Sequence, residues 1–127
     1  STFGYILKKM KRIMPDADIE TIPGITSFHA ASARLNRILV EGEESLLITS
    51  GAFGGEALRK CKGVENVAIV KAYKNIEDIN KALDETGLKA DSVAVSSCGR
   101  KDESIYNDLD ALENRAPDYW TLILASK

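Results

Sequence analysis

Histidine is nearly missing from this sequence: His29 is the only one in 127 residues. That excludes a histidine-based metal cluster and leaves at most one imidazole for acid–base work. Cysteine is almost as scarce. Cys61 and Cys98 lie far apart, with no second cysteine or histidine at metal-ligand spacing, so the simplest reading is a reduced, cytoplasmic protein without a structural metal. No apolar run approaches the ~20 residues of a membrane helix, which predicts no membrane partner. Residues 1–14 lack the continuous hydrophobic core of a secretion signal. An excess of one charge is also missing: 17 basic and 19 acidic residues leave a formal charge of -2. Nothing in that balance attracts nucleic acid or an anionic membrane globally, so a partner is small or recognised locally. What is present is ordinary for a globular protein, with 44% hydrophobic and 28% charged residues in a length that suits one domain.

Phe3, Ile6, Leu7, Met10, Ile13 and Met14 recur at helical spacing, with Lys8, Lys9, Lys11 and Arg12 on the opposite face. This predicts an amphipathic helix that ends near Pro15, and its basic face reads as solvated. The chain opens at Ser1 with that element already under way, which suggests a segment of a longer polypeptide. Ile19–Ile22 then reads as a short strand. Pro23-Gly24-Ile25-Thr26-Ser27 follows as a turn, leading into a small-residue helix from about Phe28 to Leu35. Thr26 or Ser27 can cap that helix while its first N–H groups face outwards, and such strand–turn–helix junctions are where open α/β sheets bind ligands. Capping alone accounts for both hydroxyls.

Leu46-Leu47-Ile48-Thr49 reads as the next strand, followed by Gly51-Ala52-Phe53-Gly54-Gly55 and a short helix around Glu56 to Lys60. The glycines lack the spacing of a nucleotide-binding loop and read instead as a flexible connection. Val67–Val70 is a buried-type strand, and Asn75 caps a helix whose Ile76, Ile79 and Leu83 share one face, stopped by Gly87. Val93–Val95 and Trp120–Ala125 complete the apolar strands, while Ile105 to Leu112 is less regular. Strands alternating with helices predict an α/β fold, a single mixed sheet with helices packed on it.

Several segments, in order, resemble one family. Ser1-Thr2-Phe3-x-Tyr5 is similar to the continuation of the Gly-Asp-Pro loop of the tetrapyrrole methylases. Ile22-Pro23-Gly24-Ile25-Thr26-Ser27-Phe28, with Ala30, Ala31, Ala33, Arg34 and Leu35, resembles the central motif of their precorrin-2 C-20 branch. Leu39-Val40-Glu41-Gly42-Glu43 stands at that branch's Leu-x-Glu-Gly segment, and Cys98-Gly99, Glu103-x-Ile105 and Asp108-Leu109 match later positions.

The resemblance implies the C-terminal domain of a two-domain fold whose cleft holds S-adenosylmethionine. Residues 1–14 would be a linker helix following an N-terminal domain, and residues 15–127 the C-terminal domain. The implied activity is methyl transfer from S-adenosylmethionine to C-20 of precorrin-2 or cobalt-precorrin-2 in cobalamin biosynthesis, in a protein that pairs as a homodimer. Carried over residue by residue, Thr26, Ser27, Val70, Cys98, Thr121 and Leu122 are the implied cofactor contacts, Cys98 through its backbone, and Ser1 and Thr2 the implied substrate contacts. Val70 stands where many relatives place methionine, and Ser96-Ser97 where relatives often carry Glu-Arg. The implied transfer needs no catalytic triad, and His29 reads as a structural helix residue. Two other readings remain open from the residues: another corrin-ring methyltransferase, or a noncatalytic α/β binding domain.

Overall fold

The computed structural model describes residues 2–127; Ser1, an expected substrate contact, lies outside the described residues. Helix α1 (Thr2–Ile13) is followed by α2 (Ser27–Leu35), β1 (Leu46–Ser50), α3 (Glu56–Lys60) and β2 (Asn66–Val70). Then come α4 (Ile76–Glu85), β3 (Asp91–Ser96), β4 (Ser104–Tyr106), α5 (Asp110–Glu113) and β5 (Thr121–Ser126). The strands form one five-stranded mixed sheet in the order β1-β2-β5-β3-β4. Its β1–β2 pair is parallel, whereas β5 runs antiparallel to both of its neighbours, β2 and β3. The four apolar runs at Leu46, Val67, Val93 and Leu122 therefore share one sheet.

The three inner strands are buried along nearly their whole length, as strands covered on both faces must be. On one face Val67, Ile69, Ala94, Ile123 and Ala125 pack against Leu58 of α3, Ile76, Ile79, Ala82 and Leu83 of α4, and Leu112 of α5. On the other face Ala68, Val93, Val95, Leu122 and Leu124 pack against Ala31, Phe28 and Leu35 of α2. Full burial of each large aliphatic side chain contributes about 1.5–3 kcal/mol. Helix α4 carries Glu77 and Asp78 in its first turn, where negative charge favours the helix dipole. It ends at Gly87, whose φ of 74° lets Leu88 N–H reach back to the Leu83 carbonyl at 2.9 Å.

The expected strand at Ile19–Ile22 does not form. A strand needs a ladder partner, and these residues sit beside no strand of the sheet; Ile22 and Ile25 are 84% and 85% exposed. Helix α1 forms as its periodicity predicts, yet none of its residues is buried. The stretch from Ile105 onwards proves partly regular: β4 pairs with β3 through Val95 and Ile105, extending the sheet by a strand.

Gly51–Gly55 is not a flexible loop. Gly51–Phe53 forms a 3-10 turn capped by the Ser50 hydroxyl, which accepts from Ala52 N–H, and Gly51, Gly54 and Gly55 are all buried against α4. A Cβ on Gly55 would come 2.2 Å from the Ala82 Cβ and 2.9 Å from the Asp78 carbonyl oxygen. The Gly55 N–H donates to Asp78 at 2.8 Å, and Arg59 clamps the same carboxylate at 2.9 Å. Gly55→Ala should thus cost about 1–3 kcal/mol in urea unfolding, the usual range for an overpacked site. Gly24→Ala, with nothing within 4 Å, should shift stability by less than about 0.5 kcal/mol. Equal unfolding midpoints for the two variants would contradict this account of the turn.

Candidate functional site

The pairing pattern brings several strand ends to one place. Because β5 runs against β2 and β3, the register Ile69↔Ile123 and Ser96↔Thr121 sets the start of β5 between the ends of those two strands. The end of β1 lies next to them, with Ser50 opposite Val70. On the α2 side a cavity of about 450 Å³ opens there, lined by Thr2, Ser27, Phe28, Ile48, Ser50, Val70, Lys71, Tyr119, Trp120, Thr121 and Leu122. Helix α2 covers the sheet beside the cavity but stops short of its floor. Ile48 is consequently 51% exposed, an apolar strand residue with no protein cover.

Four of the six expected cofactor contacts meet at this cavity: Ser27, Val70, Thr121 and Leu122. Thr2, expected to touch substrate, joins them. Thr26 and Cys98 are placed differently. Thr26 caps α2: its Oγ1 accepts from His29 N–H at 3.4 Å and lies 2.7 Å from His29 Nδ1. That fixes the helix start and occupies the hydroxyl, while the Ser27 and Phe28 N–H groups find no acceptor among the described residues. Cys98 belongs to the core beneath α2 rather than to the cavity wall, packed with Phe28, Leu35 and Val95. Burial, reinforced by the charge of Glu103, pushes its thiol up from the usual cysteine range.

Thr121 forms wall without offering its polar atoms. Its hydroxyl shares a buried 2.6 Å hydrogen bond with Ser96, its N–H donates to the Asp118 carbonyl, and its own carbonyl accepts from Ala72 N–H at 2.8 Å. Two strand ends at the site also turn through the left-handed region without glycine, Lys71 at φ 58° and Ser97 at φ 52°. Such conformations cost about 1–2 kcal/mol for an ordinary residue and occur where the surrounding structure enforces them. Here the enforcing contacts are the Ala72–Thr121 bond and a bond from Ser97 N–H to the Trp120 carbonyl at 3.4 Å.

Sequence reasoning missed Phe28, Ile48, Ser50, Lys71, Tyr119 and Trp120. A usable signal was present for the last two, which immediately precede an apolar strand and so occupy a strand mouth. Among the described residues no group of three or more His, Cys, Asp or Glu side chains is placed to hold a metal ion. Nor is any described helix long and apolar enough to cross a membrane.

A family model described as Tetrapyrrole (Corrin/Porphyrin) Methylases matches residues 1–113. The chain belongs to this family. Among curated tetrapyrrole methylase relatives, "Precorrin-2 C(20)-methyltransferase" of Sinorhizobium sp is 25% identical over 123 residues, covering 96% of this chain and 50% of the relative. "Cobalamin biosynthesis protein CobIJ" of Mycobacterium tuberculosis is 28% identical over 104 residues, covering 81% of this chain and 20% of the relative. The chain thus spans half or less of the length of these relatives. Among solved structures, the cobalamin biosynthetic enzyme cobalt precorrin-4 methyltransferase CbiF superposes with a TM-score of 0.73 at 23% identity, over 98% of this chain and 59% of that one. Uroporphyrin-III C-methyltransferase of Thermus thermophilus in complex with S-adenosylhomocysteine gives 0.71 at 18% identity, over 98% and 58%. These likenesses establish the fold, that of a part of the tetrapyrrole methylase structures.

Helix α2 is tied to the strand ends by one carboxylate. Glu103 accepts from the Gly99 N–H at 2.8 Å and from Arg34 Nε of α2 at 2.7 Å. The Gly99 N–H first, and Arg34 second, hold its carboxyl below the usual glutamate range. A carboxyl lowered in this way stabilises the fold above its unfolded pKa, and that contribution is lost as pH falls through the folded value. Glu103→Gln should therefore be less stable than the parent at pH 7, with the gap narrowing as pH falls below about 4. A gap that is constant from pH 7 to pH 3 in thermal melts would show that Glu103 does not carry this linkage.

Proposed function

We propose that this protein takes part in S-adenosylmethionine-dependent methylation of a tetrapyrrole in cobalamin biosynthesis, with the cavity at the start of β5 as its share of the cofactor site. The observation that carries this reading is the cavity's construction, an apolar floor beside a free helix start. Ile48, Val70 and Leu122 supply a floor suited to a neutral adenosine group. The Ser27 hydroxyl and the first N–H groups of α2 supply donors for polar atoms at its edge. Thr26 presets the helix start, and Thr121 holds the wall by spending its polar groups on Ser96, Asp118 and Ala72. The donor, when bound, supplies an electrophilic methyl group on a sulfonium. The task left to the residues is to bind, orient and exclude water, since alignment alone can provide much of the rate of such a transfer.

We further propose C-20 of precorrin-2 or cobalt-precorrin-2 as the methylated position. The alignment with a relative of that printed name over 96% of the chain supports this choice, as do the Leu39-Val40-Glu41-Gly42 segment and the central Pro23–Phe28 motif. Transfer of a labelled methyl to C-20, followed by NMR with both substrates in parallel, tests it; label at another ring position would assign a different corrin methylation.

Titration calorimetry with S-adenosylhomocysteine tests the cavity. Ser27→Ala should weaken binding by roughly 2- to 12-fold, the loss of one hydrogen bond of about 0.5–1.5 kcal/mol. Val70→Trp, which fills the floor, should abolish binding while the protein stays folded. Thr26→Ala should instead lower stability by about 0.5–2 kcal/mol, the worth of a helix cap, and leave affinity nearly unchanged. No binding by the parent protein, or undiminished binding by Val70→Trp, would remove the cofactor from this cavity.

A further inference from the structure

Three aromatic side chains run in a row that starts at the cavity, where Trp120 and Tyr119 are lining residues, and continues outside it to Tyr73. Tyr73 and Tyr119 meet edge-on with centroids 5.3 Å apart, and Tyr119 meets Trp120 at 5.4 Å and 84°. Each ring carries a cation. Lys74 Nζ lies 5.2 Å from the Tyr73 centroid, Lys71 Nζ 5.7 Å from Tyr119, and Arg100 Cζ 5.9 Å from Trp120. Lys71 is the only charged side chain among the residues lining the cavity.

The row is held rigidly yet left uncovered. Trp120 N–H donates to Asp118 at 2.7 Å and its carbonyl accepts from Ser97, whose hydroxyl in turn reaches Asp102 at 2.8 Å and Asp118 at 3.1 Å. Lys71 is fixed in its left-handed turn by the bond between Ala72 and Thr121. Even so, Trp120 is 60% and Tyr119 44% exposed. Arg100 shares its charge with Asp102 at 3.3 Å, whereas Lys71 and Lys74 have no carboxylate within ion-pair distance among the described residues. Anchored backbone, the exposed rings of Tyr119 and Trp120, and two lysines without a described carboxylate partner make a surface for a flat aromatic ligand with negative charges at its periphery.

Resting on the cofactor reading above, we propose that Lys71, Lys74 and Arg100, spaced by Tyr73, Tyr119 and Trp120, form the subsite that receives the peripheral carboxylates of the tetrapyrrole. The macrocycle lies along the rings at the mouth, outside the floor formed by Ile48, Val70 and Leu122. Lys71 stands nearest the cavity and sets the register of the ring against it. These are positioning residues for substrate and not cofactor contacts.

The test uses uroporphyrin, an octacarboxylate macrocycle, with its Soret absorption shift and the quenching of Trp120, the one tryptophan of the chain, as readouts. Binding should weaken steadily as salt is raised, and a cationic tetra(N-methylpyridyl)porphyrin should bind far less well. A Lys71→Met/Lys74→Met/Arg100→Met variant, confirmed as folded by its melting curve, should bind uroporphyrin about tenfold less tightly, several-fold at most for each exposed charge. Lys71→Arg/Lys74→Arg should retain binding. S-Adenosylhomocysteine affinity in a Lys74→Met/Arg100→Met variant, which leaves the cavity-lining Lys71 in place, should change by less than about twofold. The proposal is overturned by salt-independent uroporphyrin binding, by equal affinity for the cationic porphyrin, or by an unchanged affinity in the triple Met variant. A parallel fall in S-adenosylhomocysteine affinity in the Lys74→Met/Arg100→Met variant would assign these cations to the cofactor and overturn it as well. Failure of the parent protein to bind S-adenosylhomocysteine at all would instead defeat the reading of the cavity, a separate result.

Discussion

Strand β5 must run antiparallel to two strands at once, and most of the arrangement follows from that pairing. With β2 on one side and β3 on the other, its hydrogen bonds close the centre of the sheet. Reversal of direction puts the first residue of β5 beside the last residues of both neighbours, so chain segments distant in sequence converge at one edge. The left-handed turns at Lys71 and Ser97 are the local response. A strand that ends next to another's beginning has to leave the sheet sharply, and the carbonyls of Thr121 and Trp120 accept the N–H groups that hold those exits in place.

The two faces of the sheet are finished differently. On the α4 side, turn, helix and strands close together without space: Gly51 and Gly55 are glycines because Ile69, Ile79 and Ala82 occupy the volume a side chain would need. On the α2 side, cover ends where the helix begins, and the strand residues beyond it are open. Glu103 and Thr26 keep it so, one holding α2 to the loop after β3 and the other fixing where the helix starts. A dense face thus supports an incomplete one, and the cavity is the part left uncovered.

Much of this was legible in the sequence wherever the signal was local. Apolar runs gave four strands, spacing gave α1 and α4, and the Pro-Gly turn with two hydroxyls gave the start of α2 to within a residue. What failed depended on partners. Ile19–Ile22 has the composition of a strand but pairs with nothing in the sheet, and β4 is only three residues long, too short for alternation to announce it. The glycines of Gly51–Gly55 looked flexible because the helix they pack against lies more than twenty residues onward. The same limit applied to the site. Resemblance pointed to Ser27, Val70, Thr121 and Leu122, all at the cavity, yet Ile48, Lys71 and Trp120 become neighbours only once the strand order is known. Cys98, expected to approach through its backbone, has a half-buried thiol packed against the core beneath α2.

The central position of β5 also bears on how the molecule assembles. It follows the other four described strands, so β1 with β2, and β3 with β4, can pair before it while the gap between them stays open. Joining the halves requires contacts across 50 or more residues, the kind of non-local closure that slows folding and leaves sheet edges exposed meanwhile. The cavity takes shape only when β5 has paired on both sides, so its formation reports directly on closure of the sheet.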